Sequence, residues 1–193
     1  MQAHGLAAIV GDSPLLAEVL DRWREIALPD GWLVAGAVAQ TVWNRLFGRP
    51  AAHGIDDIDL VYFDAGDLSE EAEARHAARI GGILRRLPVR LDVKNQARVH
   101  LWYEARFGYP IAPYHSAAAA IATFPTTATA VGIRPAPEGQ GPEIEAPFGL
   151  TDLLGGVVRP NKAQVTRRIY EAKVARWRSC WPELAIVEWD AAG

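Results

Sequence analysis

An α+β fold, with a mixed β-sheet, helices packed on it and a helix at the C-terminus, follows from three observations on this 193-residue chain. Helical and strand-like segments alternate in the order α-β-α-β-α-β-α before mixed strands and a last helix, the pattern of an α/β-type sandwich. About half of the residues are hydrophobic, enough to bury a full core. No repeat of fixed period and no long low-complexity tract interrupts the pattern. The expected organisation is one domain over 1–193, with a core at about 12–134 and a strand–helix extension at about 143–193.

Each element has its local reason. Ser13 as a cap and Pro14 at the first helical position open a helix carrying Leu15, Leu16, Val19, Leu20 and Trp23, which Pro29, Asp30 and Gly31 break after about residue 27. Trp32, Leu33, Val34 and Ala35 form a short apolar strand followed at once by Gly36. A helix over 37–46 ends at Gly48 and Pro50. A β-forming run covers 55–63, and Asp67-Leu68-Ser69-Glu70 looks like a capping box for a helix reaching about residue 87, weakened by Gly81 and Gly82. Residues 89–94 alternate as a half-buried strand, 95–107 are helical up to Gly108, and 116–122 form a short Ala-rich helix. Strands are expected at 129–134 and 143–146, with an exposed, glycine-rich and mobile loop over 135–142 between them. The last helix spans about 162–180, with Tyr170, Val174, Trp177 and Trp181 on the face that docks on the core.

Composition removes several function classes. The net charge of −3, from 20 basic and 23 acidic side chains, argues mildly against strong nucleic-acid binding. One cysteine, Cys180, excludes an intramolecular disulfide or thiolate cluster and fits a reducing cytoplasm. The N-terminal residues lack the basic segment of a signal peptide, and no apolar run approaches the ~18 residues that span a bilayer. The expectation is a soluble, cytoplasmic protein without a membrane partner; the sequence does not specify an oligomeric state.

The strongest chemical signal is the pair Asp57 and Asp59. Side chains two apart on a strand share a face, so both acids stand side by side. Two unit charges about 4 Å apart repel by about 4 kcal/mol at an effective dielectric near 20. A hard divalent cation with oxygen ligands relieves that repulsion, Mg²⁺ first and Mn²⁺ as the alternative. Asp92, on a later strand that can lie beside the first, is a third candidate acid. Upstream, Gly36 starts a helix whose free N–H groups and positive dipole end suit a phosphate. Lys94, two residues after Asp92 and on the same face, can neutralise phosphate charge. Asp56 points to the opposite face and closes a turn, and Asp64 ends the strand. Together these are the parts that phosphoryl-type transfer from a nucleotide needs.

Leu33-Val34-Ala35-Gly36-Ala37-Val38 followed by Asp57-Ile58-Asp59-Leu60 resembles the signature of the DNA polymerase β-like nucleotidyltransferase superfamily. Residues 35–44, 56–64 and 92–103, with 127–134 and 146–150 downstream, are similar to a bacterial nucleotidyltransferase-like family, so the likeness runs from about 31 to 161. The resemblance implies a mixed sheet with packed helices, Asp57, Asp59 and Asp92 as catalytic metal ligands, and phosphate binding around Gly36 and Ala37. Ala37 stands where the superfamily has Gly or Ser, and alanine has no hydroxyl to hold a triphosphate oxygen.

The other reactive side chains carry less. His4, His53, His76, His100 and His115 lack zinc-ligand spacing, and Ser13, Ser69, Ser116 and Ser179 lack a hydrolase nucleophile context. Cys180 is read as packing, and the basic side chains of the last helix as a solvated face or, alternatively, a patch for polyphosphate or RNA. The expected function is Mg²⁺-dependent transfer of a nucleoside monophosphate from an NTP to an acceptor, be it a small molecule, a protein or RNA. The alternatives are a nucleotide-binding regulatory module without turnover and a metal-dependent phosphohydrolase.

Overall fold

A computed structural model describes residues 2–136 and 140–191. The chain opens with α1 (Gln2–Gly11), α2 (Pro14–Asp21) and α3 (Trp23–Ile26), then enters β1 (Trp32–Val34) and, with no intervening residue, α4 (Ala35–Leu46). Next come β2 (Asp57–Tyr62), α5 (Glu70–Ile83), β3 (Arg90–Asn95), a 3-10 turn (Gln96–Arg98), α6 (Val99–Phe107) and α7 (Ala117–Ile121). The remainder is β4 (Gly132–Arg134), β5 (Glu143–Glu145), α8 (Thr151–Leu154), β6 (Val157–Val158), α9 (Arg167–Cys180) and β7 (Ala185–Ile186). Five strands form one sheet in the order β3-β2-β1-β4-β5, parallel only between β2 and β3, and β6 pairs with β7 separately. This is the mixed α+β architecture the residue pattern predicts.

Several expectations need correction. Helix α1 was not anticipated, because Gln2, Ala3, His4 and Gly5 give no amphipathic signal, yet Leu6 and Val10 are fully buried. The helix after Pro14 is broken at Arg22, and Ser13 does not cap it through its side chain, whose hydroxyl is buried without a partner. The cap of α5 is Ser69, which accepts from the Ala72 N–H, while Asp67 in turn accepts from the Ser69 backbone and hydroxyl, so the capping motif lies two residues later than expected. That helix stops at Ile83, next to its glycines, and α9 begins at Arg167 instead of residue 162. In the loop between β4 and β5, residues 137–139 lie outside the described residues. No single helix among the described residues is long and apolar enough to cross a membrane.

One apolar cluster joins α1, α2, the inner face of β1, β2 and β4, and α9. The stripe Tyr170, Val174, Trp177 and Trp181 is buried in it, as its helical spacing predicts. Trp181 sets the approach to the sheet. Its indole N–H donates to Asn44 Oδ1 at 2.8 Å, and its ring lies against Gly54, where a Cβ would come within 2.5 Å of it. Gly54 also has φ of +68°, so both space and backbone call for glycine in the turn before β2. Packing of the C-terminal helix thereby fixes where β2 begins.

Candidate functional site

The parallel register aligns the acids. Asp59 is the cross-strand partner of Asp92 and Asp57 that of Arg90, while Val34 faces Asp59 on the other side. All three acids line one cleft of about 290 Å³ at the end of β2 and β3, together with Gly36 and Gln40 of α4. Because β1 runs straight into α4, the helix start is held over the acids. Ala35 adopts φ of +56°, a left-handed conformation costing about 1–2 kcal/mol for a non-glycine residue, and its N–H donates to Val131 O at 3.0 Å. Gly36 follows at Asp59's side: a Cβ there would lie 3.8 Å from Asp59 Oδ2 and 3.5 Å from Gln40 Nε2.

The three carboxylates differ in how they are satisfied. Asp57 accepts from Arg90 Nη2 at 3.1 Å, and Asp92 lies 3.2 Å from Lys94 Nζ, both pairs well exposed. Asp59 is half-buried and has no hydrogen bond or ion pair among the described residues. Burial, then the charges of Asp57 and Asp92, push its pKa up to about 7, against the opposing pull of Lys173 and Arg90. That is an acid held in a site of excess negative potential. Gln40 is also buried in the cleft wall, with its side-chain oxygen unpartnered.

Two expected phosphate contacts sit elsewhere. The Ala37 side chain is packed in the core, so its methyl faces away from the cleft. Lys94 does share the face of Asp92, but its ammonium lies between Asp92 and Glu73, 3.2 and 3.7 Å away; it borders the outer hollow that also takes Asp57 and Asp92, not the cleft that holds Asp59 and Gly36. Three cations border the cleft: Arg106 from α6, which sequence reasoning missed, with Lys173 and Arg176 from α9, which the sequence offers only as part of a basic helix face, solvated or a patch for polyphosphate. Lys173 keeps an exposed surface, yet the concave surroundings lower its pKa by desolvation while Asp59 and Asp57 raise it. Arg176 is committed to the turn before β2, donating to Asp56 Oδ2 at 2.6 Å and Gly54 O at 3.1 Å. Asp56 thus closes that turn, away from the site. Its place one residue before Val174 of the buried stripe puts Lys173 at the rim of the docked face.

A hard cation needs oxygen donors and net negative charge, and this cleft has both in Asp57, Asp59 and Asp92. Among the described residues, no three His, Cys, Asp or Glu side chains already converge on one point at ligand distance. The donor set fits Mg²⁺ in type, and two of the three acids are exposed enough to reorient.

Comparison with known proteins identifies the family and the fold. The sequence profile of a family described as "Nucleotidyltransferase" matches residues 21–186. An NMR structure described as revealing "a CCA-adding enzyme head domain" superposes with a TM-score of 0.76 at 26% identity, covering 96% of this chain and 95% of the other. No curated protein matches the chain.

Proposed function

The chain belongs to the nucleotidyltransferase family, and from that premise we propose that it transfers a nucleoside monophosphate from an NTP to an acceptor hydroxyl, releasing pyrophosphate. The observation that carries this reading is the Asp59–Asp92 register, which brings acids from two strands together below the Gly36 turn. In the proposed step the acceptor oxygen attacks the α-phosphorus. A new P–O bond forms, the bond from the α-phosphorus to the bridging oxygen breaks, and pyrophosphate leaves with that electron pair. Asp92 takes the hydroxyl proton. The start of α4, with Gly36 leaving its backbone open, receives the triphosphate through free N–H groups. Lys173 and Arg106 balance the phosphate charge from the opposite wall.

Asp57, Asp59 and Asp92 would hold Mg²⁺, or Mn²⁺ in its place. Bound there, the ion supplies Lewis-acid polarisation of the phosphoryl oxygens. The unpaired state of Asp59 supports this, because a carboxylate pushed up to about 7 by burial and then by two neighbouring acids gains most from a nearby cation. The cytoplasm, which provides NTP and Mg²⁺, is the proposed place of work. The test is pyrophosphate release with each NTP and Mg²⁺ across a panel of hydroxyl acceptors. Asp57→Ala and Asp59→Ala are expected to lose at least about a hundredfold, roughly 3 kcal/mol in the barrier. Undiminished release in both variants overturns these roles.

One second reading, a nucleotide-binding module without turnover, starts from Ala37 as a residue without a hydroxyl; its methyl packs in the core, so the choice rests on turnover and not on that side chain. Calorimetry separates the two: such a module binds Mg²⁺ and nucleotide yet leaves the nucleotide intact over a long incubation.

A further inference from the structure

Beside the acid cleft lies a second cavity of about 330 Å³, walled mainly by rings and aliphatic side chains. Its wall is built from the end of β3, α6, the segment after α7 and the start of α9. Arg106, Pro125 and Lys173 border both hollows, so the two adjoin. We propose that this cavity holds the acceptor, and that the acceptor is a compact small molecule with a flat aromatic or heteroaromatic body and a hydroxyl group. This rests on the transferase reading above and names the substrate class of that site.

Shape is the first support. A volume near 330 Å³ is at the small end of ligand sites, which run to about 1,000 Å³, and it suits one or two fused rings. Trp102, Phe107, Tyr114 and Phe124 line it. The hydroxyl groups behind that lining are already engaged. Tyr114 donates to Gln164 Oε1 at 2.8 Å, and Tyr109 donates to the Gln164 carbonyl at 2.8 Å. The polar network therefore fixes the wall and leaves apolar surface for the ligand, while the Gln164 amide nitrogen has no partner among the described residues and is free to donate to a ring edge.

Charge is the second support. The Arg106 guanidinium lies 5.9 Å from the Trp102 ring centre and 5.6 Å from that of Phe107. Neither Arg106 nor Lys173 makes an ion pair among the described residues, although acids line the neighbouring cleft. Two unpaired cations at the border between an aromatic chamber and an acid cleft suit a phosphoryl group held between them.

Direction is the third. In-line displacement places the attacking and leaving oxygens on opposite sides of phosphorus. Gly36 and Gln40 line the acid cleft and not the aromatic cavity, whereas Lys94, further along the strand that carries Asp92, and Gln96, in the turn after it, line the cavity and not the acid cleft. With pyrophosphate at Gly36, the nucleophile arrives from the β3 side, where Lys94, two residues beyond Asp92, lines the cavity.

The experiment titrates 2-naphthyl phosphate, an aromatic body bearing an anion, and separately Mg²⁺ with each non-hydrolysable NTP, into the full chain by calorimetry. Ile169→Trp fills the cavity from the half-buried start of α9, and Trp102→Ala removes a wall. Each is expected to lose tenfold or more in naphthyl phosphate affinity and to keep nucleotide affinity within twofold. Parallel loss of nucleotide affinity means the cavity takes the nucleobase and overturns the proposal. So does absent binding to wild type, or affinity that neither variant changes. Asp59→Ala reports on the transferase reading separately: it should lose Mg²⁺–nucleotide binding and retain naphthyl phosphate, and nucleotide binding that survives there defeats that reading whatever the cavity does.

Discussion

Glu73 and Asp59 are both acids packed against the β2–β3 pair, but the fold surrounds them in opposite ways. Glu73 is buried and fully answered: one oxygen accepts from the Asn95 backbone N–H at 2.8 Å, the other from Arg98 Nη1 at 3.1 Å, with Lys94 Nζ 3.7 Å away. Asn95, itself buried, then accepts from the Asp64 and Ala97 N–H groups at 3.0 Å each. Asp59 stands among Asp57 and Asp92 with no partner. A buried charge with complete partners locks the end of a strand, whereas one left among like charges is a cost that a bound cation removes. The contrast separates an acid answered by the fold from the one proposed to hold a cation.

Changing one member at a time sharpens the contrast. The largest stability effect belongs to Glu73→Ala, which strands Arg98 and the Asn95 N–H in a buried place. A loss of about 3 kcal/mol in urea unfolding is expected, in line with removal of one partner from a buried pair. Next comes pH. The Asp59 carboxyl holds its proton more tightly in the folded chain than in the unfolded one. Its contribution is therefore complete below pH 3.8 and is lost as pH rises through about 7. Without metal, that loss is about 1–3 kcal/mol after allowance for solvent at a half-buried site, and Asp59→Asn should flatten the wild-type decline between pH 5 and pH 8 in parallel urea melts.

Gly36→Ala follows. The new methyl meets Gln40 and Asp59 only at ordinary contact distance, so the fold should persist and gain about 1 kcal/mol from helix propensity. Nucleotide affinity should fall about tenfold, a cost of about 1.4 kcal/mol, because the methyl stands where phosphate meets the backbone. Calorimetry with a non-hydrolysable NTP reads the second effect. Smallest is Arg90→Ala. Its pair with Asp57 is exposed at 79% and 36%, and unfolding should move by no more than about 0.5 kcal/mol.

The elements that build the cleft were legible because each has a local signature. Alternation placed Asp57 and Asp59 on one face, Asp92 fell on its own short alternating run, and a glycine directly after an apolar strand marked the start of α4. The stripe of Tyr170, Val174 and Trp177 announced the buried side of α9. What escaped depends on long-range packing. Lys173 belongs to the cleft only because Trp181 seats α9 against Gly54, and nothing near residue 173 records that contact. Lys94 was read by its strand face alone, which does not reveal Glu73 arriving from α5. Ala37, one residue past Gly36, turns inward with the helix period. The two-residue strands β6 and β7 and the four-residue α8 are too short to leave a periodic trace.

The most direct test of the account is a pair of thermal melts on wild type and Asp59→Asn, each with and without Mg²⁺ at pH 8. Relief of like-charge crowding predicts that the metal-free variant melts at the wild-type temperature or above it, and that Mg²⁺ raises only the wild type. A variant that melts well below wild type without Mg²⁺, or that Mg²⁺ stabilises as strongly as wild type, would contradict the claim that Asp59 is held unpaired for a cation.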